Sequence, residues 1–147
     1  MKSSTPWATV NYSELLDAFD FVSAGAPFEN SAYIDGNTGA IIWVSPMMDL
    51  EGNEVPDDLK TSDRYIAVPH KYDLDLGHLL ALSFVDQELP DEYRTIADFF
   101  RKKGAYRRFK DWLDKCDLLE KWYRFEATVI EQTLRSWCKA KNIELIQ

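Results

Sequence analysis

The sequence predicts an α+β fold, in which a small three-stranded antiparallel sheet packs against an N-terminal helix and a C-terminal block of about four helices. The hydrophobic pattern supports this prediction, because its period is close to two in the predicted strand segments between residues 32 and 68 and close to 3.6 after Tyr72. Strands grouped ahead of helices are typical of α+β folds and not of alternating βαβ folds. Because 147 residues are about the length of one domain, we expect a single α+β domain over residues 1–147.

The first helix is predicted from about Tyr12 to Ala24. Asn11 is a good N-cap residue, and Glu14 follows it three residues later, as in a capping box. Apolar residues at helical spacing give this segment one face that can be buried. Gly25 is expected to end it, since glycine readily takes the conformations found at helix ends.

A β-hairpin should follow, with strands at 32–35 and 40–44. The turn between them, Gly36-Asn37-Thr38-Gly39, contains two glycines that can take positive φ. The second strand is apolar at nearly every position, which favours a central place in the sheet with both faces covered. Residues 64–68 are predicted as the third strand, after an acidic loop at 45–63.

Four helices are predicted after Tyr72, and an apolar stripe that includes Leu79 faces inward from the first of them. Their predicted starts are Asp73 or Asp75, then Leu89-Pro90-Asp91, then Tyr106, then Asp117. Two outcomes are open for the tail at 142–146: it adds a short strand, or Asn142 simply ends the last helix.

Charge is unevenly distributed along the chain, which carries a net charge of −8. Residues 1–100 hold 5 Lys/Arg and 18 Asp/Glu, whereas residues 101–147 hold 12 and 7. Either the acidic and basic parts neutralise each other across the fold, or the basic part presents a surface to an anionic partner. The overall acidity disfavours general nucleic-acid binding, because the phosphate backbone repels an acidic protein.

The segment Arg101–Lys110 is the most distinctive in the sequence, with six basic residues and two aromatic residues in ten positions. A helix that begins after Gly104 would offer free backbone N–H groups and the positive end of its dipole to an anion. The alternative is a structural corner between helices, whose arginines pair with acidic residues of the N-terminal part. The predicted anion-binding residues are Lys103, Arg107, Arg108 and Lys110.

Metal and catalytic sites have weaker support. The acidic loop does not fit a calcium-binding EF-hand, because the twelfth position counted from Asp35 or from Asp49 is not glutamate. A magnesium site from its spaced carboxylates is an open alternative. His70 and His78 do not have a standard metal-binding spacing, and His70 is expected at the surface after Pro69.

No nucleophile elbow, P-loop or dinucleotide fingerprint occurs in the sequence. We therefore predict no cofactor and no catalytic residue, and we favour a non-enzymatic protein. Tyr33, Trp43 and Tyr65 lie on predicted strands, where the two tyrosines would stack on nucleobases if they faced outward. Helices that bury one or both faces of the sheet are the favoured alternative.

The compartment is predicted as the cytoplasm. The N-terminal residues lack the apolar stretch of a signal peptide, and no run approaches the roughly 20 apolar residues that cross a membrane. Only Cys116 and Cys138 are present, without a CxxC spacing, so both are expected to be reduced and buried in helices.

Several strings in the chain resemble Uncharacterised Protein Family 0158, a set of mostly bacterial proteins. They are Ser31-Ala32-Tyr33-Ile34-Asp35, Gly39-Ala40-Ile41-Ile42, Arg64-Tyr65-Ile66-Ala67-Val68-Pro69, Gly104-Ala105-Tyr106-Arg107-Arg108-Phe109-Lys110-Asp111 and Trp122-Tyr123. The resemblance implies a single α+β domain. Because the family has no assigned activity, it carries over no functional residue, cofactor or partner.

From the residues we expect a binding or interaction module that takes an unknown protein or an anionic ligand through the corner between Lys102 and Lys110. A nucleic-acid-associated regulatory protein is the first alternative. A metal-dependent hydrolase that uses loop carboxylates with His70 is the second.

Overall fold

The computed structural model describes residues 5–25, 29–45, 56 and 58–146. The chain forms two compact units, one made of Met1–Leu74 with Leu134–Gln147 and the other of Asp75–Thr133. The strands are β1 (Ala8–Asn11), β2 (Ser31–Asp35), β3 (Ile41–Val44), β4 (Tyr65–Ala67) and β5 (Ile143–Ile146). The helices are α1 (Tyr12–Ala24), α2 (His78–Glu88), α3 (Tyr93–Phe99), α4 (Ala105–Lys115) and α5 (Leu119–Ala140). Short 3-10 helices cover Lys71–Leu74 and Pro90–Glu92.

Helix α1 has the predicted bounds, and its N-cap explains why it begins where it does. The Asn11 side-chain oxygen accepts the backbone N–H groups of Ser13 at 2.9 Å and of Glu14 at 3.2 Å. These bonds satisfy two of the N–H groups that a helix leaves without partners at its start. The buried face includes Leu15 and Phe19, and burying each such side chain contributes roughly 2 kcal/mol.

The three-stranded antiparallel sheet is confirmed, with strand order β3-β2-β4. In the register, Tyr33 of β2 lies opposite Ile42 of β3 and Ala67 of β4. Alternation along β2 buries Ala32 and Ile34 on the face that α1 covers.

The predicted central place of β3 is wrong. Among the described residues β3 pairs only with β2, so it is an edge strand and β2 is the central one. The continuous apolar run of β3 is explained by its contact with α1 and by the partial burial of all its residues. Trp43 packs on Phe21 of α1, with ring centroids 4.7 Å apart, while all four residues of β3 stay half-buried.

A short parallel pair joins the two ends of the chain. β1 pairs with β5 in a register that sets Ala8 opposite Ile143 and Asn11 opposite Ile146. Of the two outcomes left open for the tail, the short strand is the one that forms. β1 was not predicted, because a four-residue segment gives little periodicity and its partner lies about 135 residues further along the chain.

The hairpin turn lies against β1, and this contact explains both of its glycines. Gly39 has φ +77°, and a Cβ atom there would overlap the backbone carbonyl of Thr9. Gly36 does not have positive φ, and a Cβ atom there would overlap the indole of Trp7. Glycine is therefore favoured at position 39 by both its backbone conformation and the contact with Thr9, and at position 36 by the contact with Trp7 alone.

The unit Asp75–Thr133 has an aromatic core around Trp122, which is fully buried. Its ring meets Phe109 and Phe84 edge to face, with centroids 5.1 and 5.4 Å apart. Edge-to-face geometry is favourable because ring edges are positive and ring faces are negative. Within the described parts of the chain, the Trp122 indole N–H has no hydrogen-bond partner.

Two details of α2 differ from the prediction. Gly77 and not Asp73 or Asp75 precedes its first residue, and Leu79 is 52% exposed where an inward position was predicted. Leu80 and Phe84, which belong to the same predicted stripe, are buried. None of the helices that the structure describes is both long and apolar enough to cross a bilayer. The α+β class is confirmed.

Candidate functional site

The backbone between α3 and α4 forms a tight corner. The N–H groups of Arg101 and Lys102 bond to the carbonyls of Asp98 and Phe99, both at 3.2 Å, and thereby close the end of α3. Gly104 then takes φ +75° and ψ +16°, and α4 begins at the next residue. A left-handed residue costs glycine little, so this position lets the chain reverse within five residues of α3.

Three aromatic side chains pack together at this corner. Phe100, Tyr106 and Phe109 contact one another with centroid distances of 5.5, 5.7 and 6.3 Å. Phe109 is fully buried. These rings fix the last residues of α3 and the first turn of α4. The exposed basic side chains of the corner therefore project from a well-defined backbone.

The predicted anion-binding residues are all accessible to solvent. Lys103, Arg107, Arg108 and Lys110 are exposed. Within the described unit Asp75–Thr133, no ion pair forms to Lys103, Arg107 or Arg108. Their neighbour Arg101 approaches the Asp98 carboxylate at 3.8 Å, and both of these side chains are well exposed.

The four residues do not form one cluster. Successive residues on an α-helix are rotated by about 100°, so Arg107 and Lys110 lie about 60° apart and Arg108 lies about 160° from Lys110. The Lys110 ammonium sits 5.7 Å from the ring centroid of Tyr123, which occupies it with a cation–π contact. The corner therefore brings Lys103, Arg107 and Arg108 to the start of α4 and places Lys110 on its flank.

The charges at the start of α4 oppose local helix stability. A helix N-terminus carries the positive end of the dipole, so acidic residues are favourable in the first turn and basic ones are not. α4 has no acidic residue in its first turn and no side-chain cap at Gly104.

His70 is not at the surface, as the sequence had suggested, but 95% buried. Its Nδ1 accepts the Tyr72 backbone N–H at 3.1 Å, and its Nε2 lies 2.9 Å from the carbonyl oxygen of Gly25. With Nδ1 accepting, Nε2 must carry the proton and donate to that carbonyl. Both ring nitrogens therefore form hydrogen bonds with backbone groups, and His70 connects the end of α1 to the segment after β4.

The carboxylates proposed for a magnesium site fall largely outside the described residues, which include only Asp58 and Asp63 from this loop, both exposed. Over the part of the chain that the structure describes, no three His, Cys, Asp or Glu side chains are grouped so as to hold a metal ion. His78 is exposed, and its ring lies 6.0 Å from that of Phe100.

The strand aromatics lie on opposite faces of the sheet. Trp43 faces α1, whereas Tyr33 and Tyr65 belong to the opposite face and are half-buried. The Arg64 guanidinium carbon lies 5.3 Å from the ring centroid of Tyr65. One face of the sheet is thus covered by a helix, as the sequence favoured.

A groove of about 410 Å³ in the unit of Met1–Leu74 with Leu134–Gln147 was not foreseen. Its lining residues are Pro6, Arg135, Cys138, Lys139, Asn142, Ile143, Glu144 and Leu145. The i, i+3 and i+4 spacing of the three helical members is visible in the sequence. Pro6, which comes from the other end of the chain, has no such signal.

The two cysteines differ in environment. Cys138 is buried as predicted, and burial raises the pKa of its thiol to about 11 in spite of the nearby Arg135. Cys116 is exposed, contrary to the prediction, because it is the residue at which α4 ends. A thiol with so high a pKa is a poor nucleophile near neutral pH.

Comparison with known proteins places the chain in a family. No curated protein and no solved structure matches it. The model of the Uncharacterised protein family (UPF0158) matches residues 6–147, which is nearly the whole chain. The resemblance seen in the sequence is therefore confirmed, and the chain belongs to the Uncharacterised protein family (UPF0158).

Proposed function

We propose that the protein is a non-enzymatic binding module of the bacterial cytoplasm that takes a compact anionic group, such as a phosphoryl group on a partner, at the corner between α3 and α4. The observation that carries this proposal is the exposure of Lys103, Arg107 and Arg108 without ion pairs inside their own described unit. The backbone N–H groups in the first turn of α4 point toward the same end of the helix.

The distribution of charge along α4 favours a compact anion over a long one. Asp111 and Asp114 are exposed and lie within about 40° of Arg107 around the helix axis. A nucleic-acid strand that continued along α4 would meet these carboxylates after one turn. A single phosphoryl or carboxylate group at the start of the helix would not.

The experiment is an NMR titration with a short glycine-flanked phosphoserine peptide and its unphosphorylated form. The phosphopeptide should shift the amides of residues 105–108 in a saturable way, and the unphosphorylated peptide should not. Replacing Arg107 and Arg108 together by glutamine should weaken binding about tenfold, since charge-assisted hydrogen bonds are lost. Lys115→Gln, an equal change of charge per residue at the other end of α4, is the matched control.

Two outcomes would count against the proposal. Weakening by Lys115→Gln of about threefold, the share expected for one of two equivalent charges, would show that only the net charge matters. Tighter binding of a twelve-nucleotide oligo-dT, with a steep loss between 50 and 200 mM salt, would favour the nucleic-acid alternative.

A further inference from the structure

We propose that the groove between the last two turns of α5 and strand β5 is a second binding site, for a small organic anion with a short apolar arm. Its volume of about 410 Å³ lies within the roughly 300–1,000 Å³ of small-molecule sites. The inference rests on different residues from those of the α3–α4 corner and does not depend on a function there.

One wall of the groove is basic. Arg135 and Lys139 lie four residues apart on α5, so their side chains project from the same face of the helix. The Arg135 guanidinium carbon lies 5.1 Å from the ring centroid of Tyr12, a cation–π contact that holds this side chain in place. Lys139 is exposed and forms no ion pair within the described residues of its unit.

The floor and the far wall come from the turn and the strand that follow α5. Asn142, with φ +59°, ends the helix and sends the chain back as β5. Ile143 and the Cys138 side chain are buried and apolar, and Leu145 is half-buried. Because burial keeps the Cys138 thiol protonated at neutral pH, it adds no negative charge to the groove.

The N-terminal segment closes one end. The backbone N–H of Trp7 donates to the Asn142 backbone carbonyl at 2.7 Å, and the Asn142 side-chain amide donates to the Thr5 carbonyl at 3.3 Å. These bonds hold Pro6 at the groove. The binding site is therefore preformed by backbone contacts and does not need a ligand to assemble it.

The position of Glu144 sets the orientation of the ligand. Its Oε1 accepts the Thr9 hydroxyl at 3.2 Å, so this carboxylate is held on the strand side. A ligand carboxylate or phosphate is repelled there and attracted to Arg135 and Lys139. The charged group thus belongs on the helix wall, with the apolar arm toward Leu145 and Pro6.

The test is an NMR titration of the full chain with hexanoate and with hexyl phosphate, and with hexylamine as the cationic counterpart. Both anions should shift the amides of residues 142–145 in a saturable way, and the tighter of them identifies carboxylate or phosphate as the preferred group. Hexylamine should bind at least about fivefold more weakly, since it loses one exposed charge interaction and gains repulsion.

The matched variants are Lys139→Glu and Lys141→Glu. Both residues are exposed and the change of charge is identical, but only Lys139 lines the groove. Lys139→Glu should weaken hexanoate at least about fivefold and Lys141→Glu less than twofold. If Lys139→Glu alters the fold, Lys139→Gln should show a smaller loss in the same direction.

The proposal is wrong if neither anion gives saturable shifts at residues 142–145. It is also wrong if both lysine variants weaken binding equally, because long-range electrostatics would then account for the effect. Binding of hexylamine as tight as that of hexanoate would show that only the apolar arm is recognised.

Discussion

Asp35 and Arg64 form a bidentate ion pair that ties the end of β2 to the start of β4. The guanidinium Nε donates to Oδ1 at 2.9 Å and Nη2 donates to Oδ2 at 2.8 Å. Asp35 is buried, and its Oδ1 also accepts the Asn37 backbone N–H at 2.8 Å. One carboxylate therefore fixes both the hairpin turn and the neighbouring strand.

The first prediction is that Asp35→Asn destabilises the protein by about 2 kcal/mol at pH 7, since it removes charge-assisted hydrogen bonds. The hydrogen bond with Arg64 lowers the pKa of Asp35 from 3.8 to about 2. A lowered pKa stabilises the fold above the unfolded-state pKa, and this stability is lost as the pH falls from about 4 toward 2.

Urea unfolding of both proteins across this pH range measures the effect. The difference in unfolding free energy should be full near pH 7 and should shrink below pH 4. Asp63→Asn removes a carboxylate that is exposed, and it serves as the control with little change expected. A constant difference from pH 7 to pH 3 would contradict the role assigned to the charge of Asp35.

The second prediction compares two glycines with the same backbone conformation. Gly39 and Gly104 have φ of +77° and +75°, but only Gly39 has backbone against its Cα, the Thr9 carbonyl. Gly104→Ala should therefore cost only the left-handed strain, about 1 kcal/mol. Gly39→Ala should cost about 3 kcal/mol, because β1 must also move.

Thermal and urea unfolding of the two alanine variants provide the measurement. Gly104→Ala should leave the amide spectrum of residues 8–11 unchanged, whereas Gly39→Ala should shift it. Similar losses of stability in both variants would show that the contact of the turn with β1 contributes nothing.

Local signals in the sequence were enough for much of the fold. Asn11 specifies the start of α1 through its own side chain, and the helical period after Tyr72 identifies the C-terminal helices. The strand order was harder to predict, because an apolar run such as that of β3 occurs both in central strands and in edge strands. β1 and the groove depend on pairing between the two ends of the chain, which no local pattern encodes.

The candidate site shows the same contrast between features that local sequence signals predict and features that depend on distant contacts. The basic segment after Arg101 and the role of Gly104 are visible in the sequence, since residue type and φ preference are local properties. The separation of Lys110 from Arg108 is a local property as well, because residues two apart on any α-helix lie about 160° apart around its axis. The burial of His70 follows from contacts with Gly25, 45 residues earlier, which spacing alone does not reveal.

The third prediction concerns this buried histidine. His70→Ala should destabilise the protein by about 2 kcal/mol, because the Gly25 carbonyl and the Tyr72 N–H both lose their hydrogen-bond partner. His78→Ala removes an exposed imidazole and should cost less than about 0.5 kcal/mol. Urea unfolding of the two variants measures the difference.

Nitrogen NMR of the imidazoles gives an independent check. The hydrogen bond from the Tyr72 N–H to Nδ1 requires His70 to be the tautomer with the proton on Nε2. A proton found on Nδ1 in the neutral imidazole would overturn the assigned hydrogen bonds, whatever the stability of the alanine variant.

The fourth prediction uses the contrast between the two thiols. Cys116 is exposed, whereas Cys138 is 99% buried with a pKa raised to about 11. At pH 8 only about a thousandth of Cys138 is thiolate, the form that reacts with disulfide reagents. Native protein should therefore release about one equivalent of thionitrobenzoate quickly, and the second only after unfolding in guanidinium chloride. Cys116→Ser should abolish the fast phase, and rapid reaction of that variant in its native state would show that Cys138 is open to solvent from the groove.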